Sequence, residues 1–188
     1  MSKKIFNPIF WYESFLVKKA KFFGKVKEIP VSKLFIGVEE PFEIARPFVF
    51  KNGGEKRKLR ESPHYLFLKA FVEGGDLEKT DYFLWKKAAH GYKAAQVKIK
   101  EFIDLFRETK MLKQKDSCKK FLKPVLVFKD VVDWKGPRLT RKRPLTKRGG
   151  YEPKNFEIFD GHHRAAILAF LGRKKIACLM ISSFHFWE

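Results

Sequence analysis

Apolar positions recur along this chain with two different periods. Ile9, Tyr12, Phe15, Leu16 and Ala20 fall on one helical face. Asn7-Pro8 ahead of them and Gly24 behind them read as start and stop, so residues 1–24 are expected to hold an aromatic-rich N-terminal helix. Val26 to Leu34 alternates as a first strand, which Pro30 places near a sheet edge. Phe35 to Glu61 shows no clear period and contains the acidic cluster Glu39, Glu40 and Glu43. Three helices then follow. One runs from Ser62-Pro63 to about Val72, and one from Leu77 to Ala89 behind an Asp76 cap. The third runs from Tyr92 to Lys110, with apolar residues at 95, 99, 102, 103 and 106. Together, residues 62–113 look like a helical insert between strands, with lysine-rich faces turned to solvent.

The period changes again after the helices. Lys123 to Val132 is a β-run of branched and aromatic residues. Asn155 to Phe159 alternates as a strand, Arg164 to Leu171 is a helix closed by Gly172, and Ile176 to Ser182 is a buried final strand. Strand, helix and strand at this length predict a parallel βαβ unit. The fold class is therefore α/β (α+β): a small mixed sheet with flanking helices, in one domain over residues 1–188.

Composition narrows the partners. The chain has 188 residues, 45% of them hydrophobic, enough for a sizeable core. No apolar stretch is long enough to span a bilayer. The basic N-terminus lacks a small-residue cleavage site, so no signal peptide is expected. Cys118 and Cys178 offer neither a disulfide framework nor metal-ligand spacing. A reduced, cytoplasmic protein is the expectation. Cys178 belongs to a buried strand, and Cys118 to a lysine-rich turn.

Charge points outward. Forty-one Lys and Arg against 21 Asp and Glu leave a net charge of +20. Such a balance favours polyanions. The scarcity of Gln and Asn allows another reading, a charged surface of the kind found in proteins from hot environments. Part of the charge is concentrated in the basic loop over residues 135–155. Arg138, Arg141, Lys142, Arg143, Lys147 and Arg148 lie there among prolines and glycines, with no acidic residue between Lys135 and Arg148. Those six are candidates for nucleic-acid contact through phosphate neutralisation.

The densest chemistry lies where the third predicted strand ends and its helix begins: Asp160-Gly161-His162-His163-Arg164. A helix mouth presents free N–H groups and the positive end of the helix dipole. Gly161 allows close approach of a ligand, His162 and His163 add donors, and Arg164 can fork onto phosphate oxygens. This is the chemistry of a phosphate site. Asp160 can cap the helix, orient a histidine or reach a metal ion carried by a nucleotide. His64 and His90, on predicted helices, read as structural.

The stretch Phe156 to Leu168, with Leu171-Gly172 and the closing strand, resembles the ParB/sulfiredoxin-like superfamily. Ile29 to Leu34 looks like that family's opening strand, and Pro124 to Val127 like its middle one. The resemblance implies a nucleotide-phosphate site binding ATP, ADP or CTP with Mg²⁺. His162 stands where sulfiredoxins carry their nucleophilic cysteine, so their redox chemistry is not expected. Partitioning ParB proteins carry Gly-Glu-Arg-Arg here and a helix-turn-helix domain. The chain ends at Glu188, soon after the last strand, and no such domain is expected. The ParB-like free serine kinases, with Asp-Gly-His-Thr-Arg, are the closest in motif. They use an acidic base near the first strand. Glu39, Glu40 or Glu43 could supply one, and Glu39, Glu40 and Asp160 are the candidate catalytic residues. The implied activity is a nucleotide-dependent phosphotransferase or nucleotide hydrolase. The alternative is a nucleic-acid-binding or nuclease-like module using the basic loop.

Overall fold

The structure, a computed structural model, describes residues 26–51, 55–114, 123–129 and 155–181. The expected N-terminal helix, Cys118 and the basic loop lie outside the described residues.

The fold is α+β: among the described residues, a five-stranded mixed sheet with five α-helices. The strands are β1 (Val26–Pro30), β2 (Leu34–Phe35), β3 (Val125–Lys129), β4 (Phe156–Asp160) and β5 (Lys175–Ile181). The helices are α1 (Phe42–Val49), α2 (Pro63–Val72), α3 (Asp81–His90), α4 (Tyr92–Gln114) and α5 (His162–Phe170). The sheet order is β1-β5-β3-β4-β2. β1–β5 and β3–β4 are antiparallel, whereas β3–β5 and β2–β4 are parallel.

The single strand expected over 26–34 is two strands. A short 3₁₀ turn, Val31–Lys33, divides it, and β1 and β2 occupy opposite edges of the sheet. Pro30, which has no N–H to give a ladder, closes β1 at its edge. In a flat sheet the two edges would stand four spacings, about 19 Å, apart. The chain from Pro30 to Leu34 reaches about 14 Å at most. The sheet is therefore strongly coiled, bringing its edges towards each other.

The parallel βαβ unit also resolves differently. β3 lies between β4 and β5, antiparallel to one and parallel to the other, so β4 and β5 run in opposite directions. Sequence spacing alone does not show that a third strand takes the place between them.

Among the helices, α2 begins on Ser62, whose hydroxyl accepts the N–H of Tyr65. The helix expected from Leu77 is a 3₁₀ turn, Leu77–Lys79, with Asp76 accepting from Glu78. Thr80 then caps α3. α1 falls in the stretch without a clear period. Its core side is the short set Ala45 and Val49, and Pro47 sits inside it.

One hydrophobic cluster joins sheet and helices: Ile29, Val127, Ile158 and Ile176 from the strands, Ala166 and Ile167 from α5, and Phe67, Tyr82 and Phe102 from α2, α3 and α4. The lysine-rich helix faces are not uniformly solvated, because Lys86 is buried, as is Lys56 ahead of α2. Lys56 pairs with Glu157 of β4.

Candidate functional site

β2 and β4 run parallel, so both point towards the α5 N-terminus. The segment after β2, Ile36 to Glu40, passes alongside that junction. Gly37 makes the passage possible. A Cβ there would stand 2.0 Å from the Ile158 carbonyl oxygen and 3.3 Å from His162 Nε2. The Gly37 N–H donates to His162 Nε2 at 3.2 Å.

That bond fixes the ring. An Nε2 that accepts a backbone N–H carries no proton, so the proton lies on Nδ1. Nδ1 faces Glu39 Oε1 at 2.7 Å. Both nitrogens of His162 are engaged within the protein, and the residue is buried.

Glu39 is the hub. Its other oxygen stands 2.7 Å from Lys86 Nζ and 3.5 Å from His64 Nε2. The Glu39 backbone faces solvent while its side chain, 20% exposed, turns inward. Burial alone would raise its carboxyl. The imidazoles of His162 and His64 outweigh burial and hold it well below the ordinary carboxylate range. Lys86 reaches Glu40 Oε1 as well, at 3.1 Å, and Glu40 Oε1 meets His90 Nε2 at 2.9 Å. The Lys86 ammonium also lies 4.7 Å from the centre of the Trp85 ring. Of the three early glutamates, Glu39 touches the strand–helix motif, Glu40 is one ion pair removed, and Glu43 lies exposed in the first turn of α1.

His163 also turns inward. Its Nε2 lies 2.7 Å from the Tyr82 hydroxyl, and its ring stacks on Phe102 at 4.3 Å. Burial lowers its basicity to about pKa 3, helped by the neighbouring His64. Burial likewise holds Tyr82 protonated, above the ordinary phenol range. His64 is fully buried between these rings, 5.7 Å from the centre of His162 and 5.2 Å from that of His163. Among the described residues neither of its nitrogens is satisfied by a well-formed hydrogen bond, the nearest acceptor of Nε2 being Glu39 at 3.5 Å. Its pKa is lowered, by burial first and against the pull of Glu39. His64 and His90, expected as structural residues, both lie in this cluster, His64 against Glu39 and His90 against Glu40. A single sequence carries no signal that α2 and α3 close over the α5 mouth.

At the mouth itself, Gly161 is the N-cap of α5 with φ +90°, and no side chain caps the helix. Asp160 therefore does not cap. Its carboxylate is well exposed and stands 3.6 Å from Arg164 Nη2. The Arg164 guanidinium folds back over Gly161, where an added Cβ would meet it at 2.8 Å. With His162 and His163 committed to inner partners, the groups left for an anion are the first N–H groups of α5 and Arg164. Among the described residues, no three His, Cys, Asp or Glu side chains are placed to hold a metal ion.

Cys178 is buried in β5, its thiol pushed up to about 12 by burial and directed at the Ile176 carbonyl. It takes no part in the cluster. No helix among the described residues is long and apolar enough to cross a membrane. No protein-family model, curated protein or solved structure matches the chain.

Proposed function

We propose that the chain binds the phosphates of a nucleotide at the mouth of α5 and transfers a phosphoryl group to a small hydroxyl substrate, with Glu39 as the base. This keeps the resemblance to the ParB/sulfiredoxin-like superfamily, and especially to its free serine kinases, as a reading of the Asp160–Arg164 motif. The observation that carries it is the uncapped α5 N-terminus, opened by a left-handed Gly161 and covered by a guanidinium whose carboxylate contact is long. Exposed N–H groups, dipole and arginine coincide there.

The roles divide between two layers. The α5 amides and Arg164 grip the phosphates. Behind them, His162, the residue after Gly161, holds one oxygen of Glu39, and Lys86 holds the other. In the transfer the substrate hydroxyl oxygen bonds to the terminal phosphorus, the bond from that phosphorus to the bridging oxygen breaks, and Glu39 accepts the hydroxyl proton. A divalent ion would arrive on the nucleotide, neutralising phosphate charge, with Asp160 as the motif's own exposed carboxylate.

Calorimetric titration with ATP, ADP and CTP, with Mg²⁺ at 0.3 M KCl, tests the reading. One nucleotide is expected to bind at that salt. Arg164→Ala, with its unfolding midpoint near wild type, is expected to weaken it by about 10- to 100-fold, the loss of a charged hydrogen bond to phosphate. Unchanged affinity in Arg164→Ala would refute the assignment.

A further inference from the structure

A second charged feature lies away from this site, at the far end of α5. Three turns meet there. The Val31–Lys33 turn is joined to the turn after α5 by the Val31 N–H donating to the Lys174 carbonyl at 3.0 Å. It also packs against the Leu59–Glu61 turn. Pro30 and Lys175 are register partners at the same place. These turns carry Lys33, Lys58, Arg60, Arg173, Lys174 and Lys175, of which all but the half-buried Lys33 are exposed.

None of the six stands within ion-pair distance of a carboxylate among the described residues. Elsewhere such pairs are common, as in Arg57 with Asp81, Lys86 with Glu39 and Glu40, and Lys98 with Glu101. Glu61, the acidic residue within these turns, is engaged by Lys51 at 2.8 Å. The carbonyl end of α5 accounts for a basic residue or two just beyond the helix, such as Arg173 and Lys174. It does not account for Lys33, Lys58 and Arg60, which come from other parts of the chain. Six gathered like charges repel one another, and a polyanion relieves that repulsion by binding.

We propose that these three turns form a docking surface for the phosphate backbone of duplex nucleic acid. The neighbouring side chains favour this over an anionic membrane. The exposed large apolar residues, such as Leu66, Leu84, Val97 and Met111, all lie outside the three turns, and an interfacial segment needs apolar groups to insert. The turns also carry no aromatic side chain to stack unpaired bases, so the contact is with the backbone and independent of base sequence. The surface is removed from Gly161 by the length of α5, about 13 Å, and stands independently of the nucleotide reading.

Fluorescence anisotropy of the full chain with a labelled 20-base-pair duplex, from 50 to 300 mM KCl, tests it. Wild type is compared with Arg60→Ala/Arg173→Ala/Lys174→Ala and with Arg141→Ala/Lys142→Ala/Arg143→Ala in the basic loop, each checked for a native unfolding midpoint. The turn variant is expected to bind at least 10-fold more weakly at 0.1 M KCl. Its salt slope should be shallower by about 0.9 for each phosphate it no longer neutralises. Unchanged affinity and slope in the turn variant, with weakening confined to the loop variant, would overturn the proposal. So would wild-type binding to phosphatidylserine vesicles but not to the duplex.

Discussion

Gly37 shows how much one missing side chain decides. Its Cβ position is occupied by the Ile158 carbonyl oxygen at 2.0 Å, a backbone atom of β4, which is held between β3 and β2 and cannot rotate aside. Its N–H also sets the tautomer of His162 and so the hydrogen bond to Glu39. Gly37→Ala is expected to cost about 1–3 kcal/mol, the range of overpacking in a filled core. Urea unfolding would read it, and a cost under about 0.5 kcal/mol, the scale of a neutral surface change, would show that β2 can move off β4. Protonation acts at the same scale. His163 is depressed to about 3 and His64 is lowered too, so below pH 6.5 the unfolded chain takes up protons that the folded one refuses. Glu39, also depressed, adds stability above the ordinary carboxylate pKa, and that stability is lost as pH falls below it. All three shifts act in one direction. From pH 6.5 to pH 5, His163 alone is expected to remove about 2 kcal/mol. Denaturant melts across that window should show the decline, and His163→Phe should make it shallower, leaving the part due to His64 and Glu39. A flat wild-type profile would mean that the ring is hydrated and free to titrate.

Elements were legible in proportion to their local signals. α2 could be placed because Ser62-Pro63 is a cap followed by a favourable first residue, and the Ser62 hydroxyl does accept from Tyr65. α5 and β5 could be placed because Gly172, at φ +86°, punctuates them. α1 was hidden because two buried residues one turn apart make no pattern and Pro47 argues against a helix. The division of the first strand was hidden for another reason. Pro30 marks an edge but cannot say that the chain leaves for the opposite edge, which only the coil of the sheet permits. The strand–helix motif could be located from Asp160-Gly161 and the arginine that follows. The inward turn of its histidines could not. Their partners, Gly37, Glu39, Tyr82 and Phe102, come from distant segments, and nothing local distinguishes an inward from an outward ring at a helix start. Lys86 carried no signal either, since in the sequence it is one of a pair of adjacent lysines in a basic helix.

For the molecule as a whole, the question is whether α2, α3 and α4 are an appendage or part of one folding unit. The packing places them in the unit. Phe102 of α4 stacks on Phe67 of α2 at 5.4 Å and on His163 of α5 at 4.3 Å, with Tyr82 of α3 at 5.2 Å. The same cluster continues into Val127 and Ile158 of the sheet. The site depends on that continuity, because Glu39 leaves the sheet side and finds Lys86 and His64 on the helices. Native-state hydrogen exchange of amides in α4 and in β4 is therefore expected to report one common opening free energy. Phe102→Ala, which empties a fully buried aromatic site, should lower protection in both elements together by about 3–5 kcal/mol. Protection that fell in α4 while β4 kept its value would mean that the helices open by themselves. Glu39 would then part from Lys86 and His64 in the open state, and the base would be present only part of the time.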